Sequence, residues 1–431
     1  MNLCYILNMQ ELKKLPVGIQ SFERIINNNF IYIDKTDLIY DIVHSSGVFF
    51  LSRPRRFGKS LLVSTLKSYF EGSKDLFKGL AIEKLEEKNH NDWEQFPVFN
   101  FNFTGVDYSQ ENALNDILDR ELKQIEEIYG RDKNDVSESD RFYSAIKRAH
   151  EKTGKGVVIL VDEYDKPLLD TMDNPSLQAK NRNIFKGFWG VLKATDQWTR
   201  FAFFTGVTKF AKVSIFSDLN QLRDISMVPK YESLCGITQK EIESIFTPYI
   251  KNLAKDTNMT EKEVFAKLKV MYDGYHFCEE SCNSEYGIYN PFSILNAFAD
   301  SKFQSYWINS GTSKFLVDIL EETEYDLRDI FQGVEMDEST LTQYRTDSNN
   351  PIHVIYQSGY LTIKDFDKNI GLYTLGFPNE EVKNGFLSLI IPYYTGIKET
   401  EKGFYIGKFY KDLQSGNVQS FMERLQSGKI Q

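Results

Sequence analysis

The stretch LSRPRRFGKSLLVS (51–64) decides the reading of the chain. Gly58, Lys59 and Ser60 fill the last three places of the pattern GxxxxGK(S/T), while Arg53 stands where its first glycine belongs. A loop that cradles phosphate needs a tight turn with inward N–H groups, a lysine for the β and γ phosphates, and a hydroxyl for Mg²⁺. Lys59 and Ser60 fit the last two roles, Gly58 lets the backbone come close, and the helix that opens there adds its positive end. An arginine in the first place is tolerable if that residue needs no positive φ, with Pro54 stiffening the turn instead. The candidate cradle is therefore Arg53, Pro54, Arg55, Arg56, Phe57, Gly58, Lys59, Ser60 and Leu61. Its three arginines add positive charge near an anion, though some could face solvent or a partner. The competing reading is a basic surface loop that happens to precede a helix.

Context separates the two. GVFFLS (47–52) is a short apolar strand leading into the loop, and Leu62, Leu66 and Tyr69 recur at helical spacing over 59–70. The run VVILVDEYD (157–165) reads as a strand buried on both faces and ends in an acidic pair. Asp162 is placed to join Ser60 in a Mg²⁺ shell, and Glu163 to polarise an attacking water. The adjacent acidic pair points to a hydrolase rather than a kinase-like loop. Thr205, Thr208 and Lys209 close a further strand, RFAFFTGV (200–207), where a polar side chain could sense the γ-phosphate; Thr205 could equally cap a strand end. Arg223 is only a candidate for an arginine finger.

Other strands are expected at FPVFNFNF (96–103) and RDISMVP (223–229), with helices near 110–129, 138–152 and 178–194. Strands alternating with helices imply a parallel sheet covered on both sides. From Gly236 the character changes. Thr238 with Glu241 forms a capping-box pattern, Asn290 with Pro291 starts another helix, and helices are expected at 260–271, 291–299 and 311–322. The segment 351–377 looks like a hairpin, and NEEVKNGFLSLIIPYY (379–394) opens another helix.

The bulk numbers set bounds. The 431 residues suffice for two or three domains of roughly 150 residues each. A net charge of −10 argues against a chain that coats nucleic acid by bulk attraction. No apolar run approaches the roughly 20 residues of a membrane span, MNLCYILNMQ (1–10) is short and without a positive leader so that no secretion signal is expected there, and four cysteines make no disulfide framework. A reduced, cytoplasmic location is expected.

Six blocks, LPVGIQSFERIINNNFIYIDKT, LSRPRRFGKSLLVSTLKSYFEG, VVILVDEYDKPLLD, FFTGVTKFAKVSIFSDLN, YDGYHF and YNPFSILNAF, together closely resemble the bacterial AAA-ATPase-like family. In that family the loop has the RPRRFGKS form, so Arg53 is the family's own variant. The resemblance implies ATP and Mg²⁺ as cofactors, and usually a following PD-(D/E)xK nuclease domain that binds Mg²⁺ beside a phosphodiester. This sequence departs there. After Phe377 the one E-x-K is Glu381-Val382-Lys383, at a helix start capped by Asn379. The nuclease part is expected to be truncated, and nuclease activity is not carried over.

His276, Cys278 and Cys282 offer three zinc ligands without a fourth, so a packed aromatic turn is expected. Tyr272, Tyr275 and Phe277 of YDGYHF, and SYWINSG (305–311), read as core. Asp34-Lys35-Thr36 could line a base pocket.

The expected architecture is an additional-strand P-loop NTPase, α/β with a parallel sheet covered by helices, followed by a mainly helical, winged-helix-like module. The divisions fall at 1–235, 236–350 and 351–431. The expected function is a Mg²⁺-dependent ATPase acting as a conformational switch on a nuclease or DNA-associated partner, with a homo-oligomer left open. The alternatives are a nucleotide-gated binding module with negligible turnover and DNA binding through the winged-helix-like region.

Overall fold

The structure, a computed structural model, describes residues 12–208, 222–308, 316, 320, 323, 325, 327–342, 351–395, 417, 419 and 420. Five strands run parallel: β1 (Gly47–Ser52), β2 (Val98–Asn102), β3 (Val157–Asp162), β4 (Thr199–Gly206) and β5 (Leu222–Asp224). Their order is β2-β3-β4-β1-β5. β4 thus separates the loop strand β1 from the acidic strand β3, which is the additional-strand arrangement.

Strand side chains alternate between two cores, as the two-residue period requires. Phe49, Leu51, Val158, Leu160, Phe201 and Phe203 face one. Val48, Phe50, Phe101, Ile159, Val161 and Phe204 face the other. The first face is covered by α1 (Phe22–Asn27), α2 (Thr36–Val43), α3 (Lys59–Phe70) and α4 (Ala81–Lys88). The second is covered by α5 (Ala113–Tyr129), α6 (Glu138–Thr153), a short α7 (Lys166–Leu169) and α8 (Pro175–Ala194). Every residue of β3 is buried, which explains its unbroken apolar sequence.

After Gly236 the chain forms α9 (Gln239–Ile245), α10 (Thr247–Thr257), α11 (Glu261–Tyr272) and α12 (Pro291–Asp300). The Thr238–Glu241 capping box and the Asn290 cap are both present. Three antiparallel strands follow, β6 (Val334–Asp337), β7 (Thr362–Asp367) and β8 (Leu372–Gly376), in the order β6-β8-β7. The first core continues from Phe22 beneath the loop to Ile390 in the helix Glu380–Thr395. The sheet and the C-terminal elements therefore share one apolar interior.

Some expectations change. The hairpin begins at Thr362, because Ile352–Gln357 is a buried helix opened by Pro351. A short apolar run cannot be assigned by periodicity alone, and here burial on all sides hides the helical period. The fifth strand stops at Asp224, whose carboxylate turns back to accept from Ser226 N, and Pro229 then opens a 3-10 helix. The helix expected at 311–322 lies outside the described residues save Leu316 and Leu320, both buried. Among the described residues no helix is long and apolar enough to cross a membrane.

Candidate nucleotide site

The loop leaves β1 at Ser52 and enters α3 at Lys59. Arg53 N still donates to Gly206 O at 3.2 Å, so strand pairing continues one residue into the loop. The left-handed positions fall at Arg56 (φ 66°) and Gly58 (φ 95°), and Arg53 is not among them. That is why the missing first glycine is tolerated. A Cβ placed on Gly58 would meet nothing within 4 Å, so its requirement is conformational: it turns the chain into the helix.

The three loop arginines go different ways. Arg53 is buried, and its guanidinium donates to the carbonyls of Ser52 (2.9 Å), Ser226 (2.7 Å), Tyr231 (3.1 Å) and Glu232 (3.4 Å). It also lies 4.1 Å over the Phe277 ring. This corrects the expectation that its charge adds to the cradle: the side chain is a structural tie, and only its backbone remains for the loop. Arg55 is half-buried, and Arg56 is exposed over Phe292. Phe57 is buried against Tyr275 and Phe277, at 4.8 and 5.6 Å between ring centres. Pro54 is buried as well.

Lys59 is buried and its Nζ donates to Arg53 O and Pro54 O, both at 3.0 Å. Burial lowers its pKa, while the charges of Glu163, Asp162 and Asp165 push it back up. Asp162 ends β3, and burial pushes its carboxyl up to about 6, with Glu163 adding to the rise. The Ser60 hydroxyl facing it and the Lys59 charge work the other way. Asp162 Oδ1 and Thr205 Oγ1 are buried without a hydrogen-bond partner among the described residues. Glu163 follows with φ 52°, a strained position for a glutamate, and is half-buried.

The next acid, Asp165, is one that sequence reasoning passed over. It is buried, and its Oδ2 accepts from Val207 N (2.9 Å), Thr208 N (2.6 Å) and Thr208 Oγ1 (2.7 Å). Burial raises its pKa and the Thr208 bonds lower it. Tyr164 ties the same turn, with its N donating to Thr205 O (3.1 Å) and its hydroxyl to Thr208 O (2.8 Å). Thr208 therefore spends its hydroxyl on Asp165, while Thr205 keeps its own uncommitted. Lys209 lies outside the described residues. Arg223 is exposed on β5, with both β1 and β4 between it and the acidic strand.

A mainly apolar cavity opens beside Gly58, lined by Ile31, Ile33, Lys35, Leu61, Leu234 and Cys235. Of the Asp34-Lys35-Thr36 segment only Lys35 reaches it, paired with Glu241. Asp34 instead accepts from Thr36 and Ala81 N. Tyr272, Tyr275, Phe277, Cys278 and Cys282 are buried, with Cys282 Sγ donating to Glu279 O. Glu381 sits in a helix as expected, accepting from Ser293 Oγ (2.7 Å) and Trp307 N (2.8 Å).

Residues 16–216 match the family model described as a predicted AAA-ATPase. A relative from Azotobacter chroococcum mcd 1, an uncharacterized protein in the vnfD 5′ region, is 35% identical over 378 residues, covering 86% of this chain and 68% of the relative. The chain belongs to the predicted AAA-ATPase family. The family match, with a loop and strand order of the P-loop kind, makes it a P-loop ATPase of the AAA type. Among solved structures, the Aeropyrum pernix ORC2 protein in ADPNP–ADP complexes aligns over 85% of this chain and 98% of its own, at 10% identity. Its TM-score of 0.29 is too low to weigh beside the strand order.

Proposed function

We propose that this AAA-type ATPase binds ATP with Mg²⁺ at the 53–61 loop, hydrolyses it slowly, and uses occupancy as a conformational switch on a nuclease or DNA-associated partner. The observation that carries the reading is the pair of orphaned oxygens, Asp162 Oδ1 and Thr205 Oγ1, buried at the ends of neighbouring strands. A buried polar atom without a partner costs about 1–3 kcal/mol, and a ligand that satisfies it recovers that cost.

Lys59 and the loop amides would hold the phosphates, and Ser60 with Asp162 would hold the cation. When bound, Mg²⁺ neutralises charge on the phosphate oxygens. Thr205 donates toward the terminal phosphate. Glu163, half-exposed and held at an unusual φ, orients and polarises water. The apolar cavity beside Gly58 would take the base. The basic loop behaves as an anion cradle through its amides and Lys59, since Arg53 is committed elsewhere.

The test is a comparison of wild type, Glu163→Gln and Lys59→Ala. Nucleotide binding should persist in Glu163→Gln and fail in Lys59→Ala, while phosphate release should fall at least tenfold in both. Equal background release from wild type and Glu163→Gln, with binding intact, would leave a nucleotide-gated binding module in place of a hydrolase.

A further inference from the structure

The phosphate loop is gripped from its outer side by residues far along the chain. Trp307 Nε1 donates to Arg55 O at 2.9 Å. Gly359 (φ 91°) lies so close to Pro54 that a Cβ there would be 2.5 Å from Pro54 Cβ and 3.4 Å from the Trp307 ring. Gly359 O accepts from the Tyr275 hydroxyl at 3.0 Å, and the Tyr275 ring packs on Phe57. Trp307 is itself fixed, its backbone N bound to Glu381 and its ring against Tyr360 at 5.2 Å. Four parts of the loop, Pro54, Arg55, Phe57 and the Arg53 side chain over Phe277, therefore rest on one assembly outside the nucleotide-binding sheet.

The inner side of the same residues is held by Lys59, whose ammonium donates to Arg53 O and Pro54 O. A phosphate that draws this ammonium away removes the inner donor from the residues that the outer assembly grips. The two grips meet on adjoining residues, Lys59 on the carbonyls of Arg53 and Pro54 and the outer assembly on the Pro54 ring and the Arg55 carbonyl, so a shift on one side reaches the other through the backbone of Pro54.

We propose that Trp307 and Gly359 are positioning residues of the phosphate loop, and that nucleotide binding is coupled through Arg55 and Pro54 to the docking of the segment around 352–361. The proposal rests on the nucleotide-binding reading above. It assigns to the C-terminal elements a task beyond covering the core: they set the loop's shape, and occupancy of the loop resets their hold in return.

The experiment uses the full chain with Mg²⁺–ATP as the probe. Amide exchange of peptides covering 352–361 is measured with and without nucleotide, beside calorimetric affinities for wild type and Trp307→Phe. Wild type should change its exchange at 352–361 by several-fold on binding. Trp307→Phe, which keeps an aromatic ring and loses the donor, should bind roughly three- to tenfold more weakly, the range of one neutral hydrogen bond, and should melt at a lower temperature because the bond and part of a buried ring are lost from the unliganded fold as well. A wild type that binds while exchange at 352–361 stays fixed overturns the coupling, even where the variant fails to fold. A variant with wild-type affinity overturns the role of Trp307. A wild type that does not bind, matching Lys59→Ala, overturns the nucleotide reading itself and the proposal with it.

Discussion

Asp162 and Thr205 stand one step beyond the paired residues Val161 and Phe204 on neighbouring parallel strands, and each buries an oxygen without a partner among the described residues. The fold has placed two unsatisfied polar atoms side by side at the mouth of its loop. Thr205→Val is the direct probe, because it removes the hydroxyl at nearly constant volume. No hydrogen bond is lost in the fold, so thermal stability should hold or rise by about 1 kcal/mol. Phosphate release should fall roughly 10- to 100-fold. Thr205→Ser should recover most of the rate. Equal turnover in Thr205→Val and wild type would remove Thr205 from the site.

Asp162 supplies a pH signature. Its folded pKa of about 6 lies above the ordinary carboxyl value of 3.8. The folded protein therefore holds this proton more tightly than the unfolded chain, and stability on this account is complete below pH 4 and is lost as pH rises through 6. Asp162→Asn removes the ionisation, so the variant should be more stable than wild type at pH 8 by about 1–3 kcal/mol, with the gap closing as pH falls to 4. Asp273 and Glu381, raised to about 6 and about 7, titrate alike in both proteins and cancel in the difference. The variant should also lose the Mg²⁺ dependence of nucleotide binding. Paired urea unfolding curves across this pH range would show a constant gap if Asp162 is not the titrating group.

The strands β1 to β4 were legible because a sheet covered on both faces writes itself as apolar runs, and VVILVD is the clearest. The loop, its helix and the acidic pair were legible because local spacing fixes them. What the chain hid was direction and distance. Arg53 reads as a charge beside an anion, yet its partners Ser226, Tyr231 and Phe277 come from far along the sequence. Asp165 reads as one more acid after Glu163, and only the turn at 207–208 reveals its work. FERIIN is too short to show a helical period, so α1 went unanticipated.

Asp165 should behave as a structural anchor whose loss reaches the site through Thr205. Asp165→Ala strands the amides of Val207 and Thr208 and the Thr208 hydroxyl. The expected loss is about 2–4 kcal/mol, against about 1 kcal/mol for Thr208→Val, which removes one of the three bonds. The double variant should cost less than the sum, since the two side chains share a bond. Additive losses in chemical denaturation would mean the pair acts independently.

Arg53 gives the prediction that runs most directly against motif logic. Arg53→Gly restores the usual loop pattern, and on the motif alone it should improve the site. In this fold it removes the donor to the carbonyls of Ser52, Ser226, Tyr231 and Glu232 and empties the space over Phe277. Glycine's freedom brings nothing in return, because residue 53 is not among those with positive φ. Stability should fall by about 3–5 kcal/mol, with Arg53→Lys intermediate because one ammonium cannot span carbonyls on both sides. Nucleotide affinity measured below the unfolding temperature should weaken as well, since the guanidinium holds the loop's first residue against the segment 226–232. A glycine variant as stable as wild type, or one that binds nucleotide more tightly, would mean the arginine's ties are incidental and the loop keeps its shape without them.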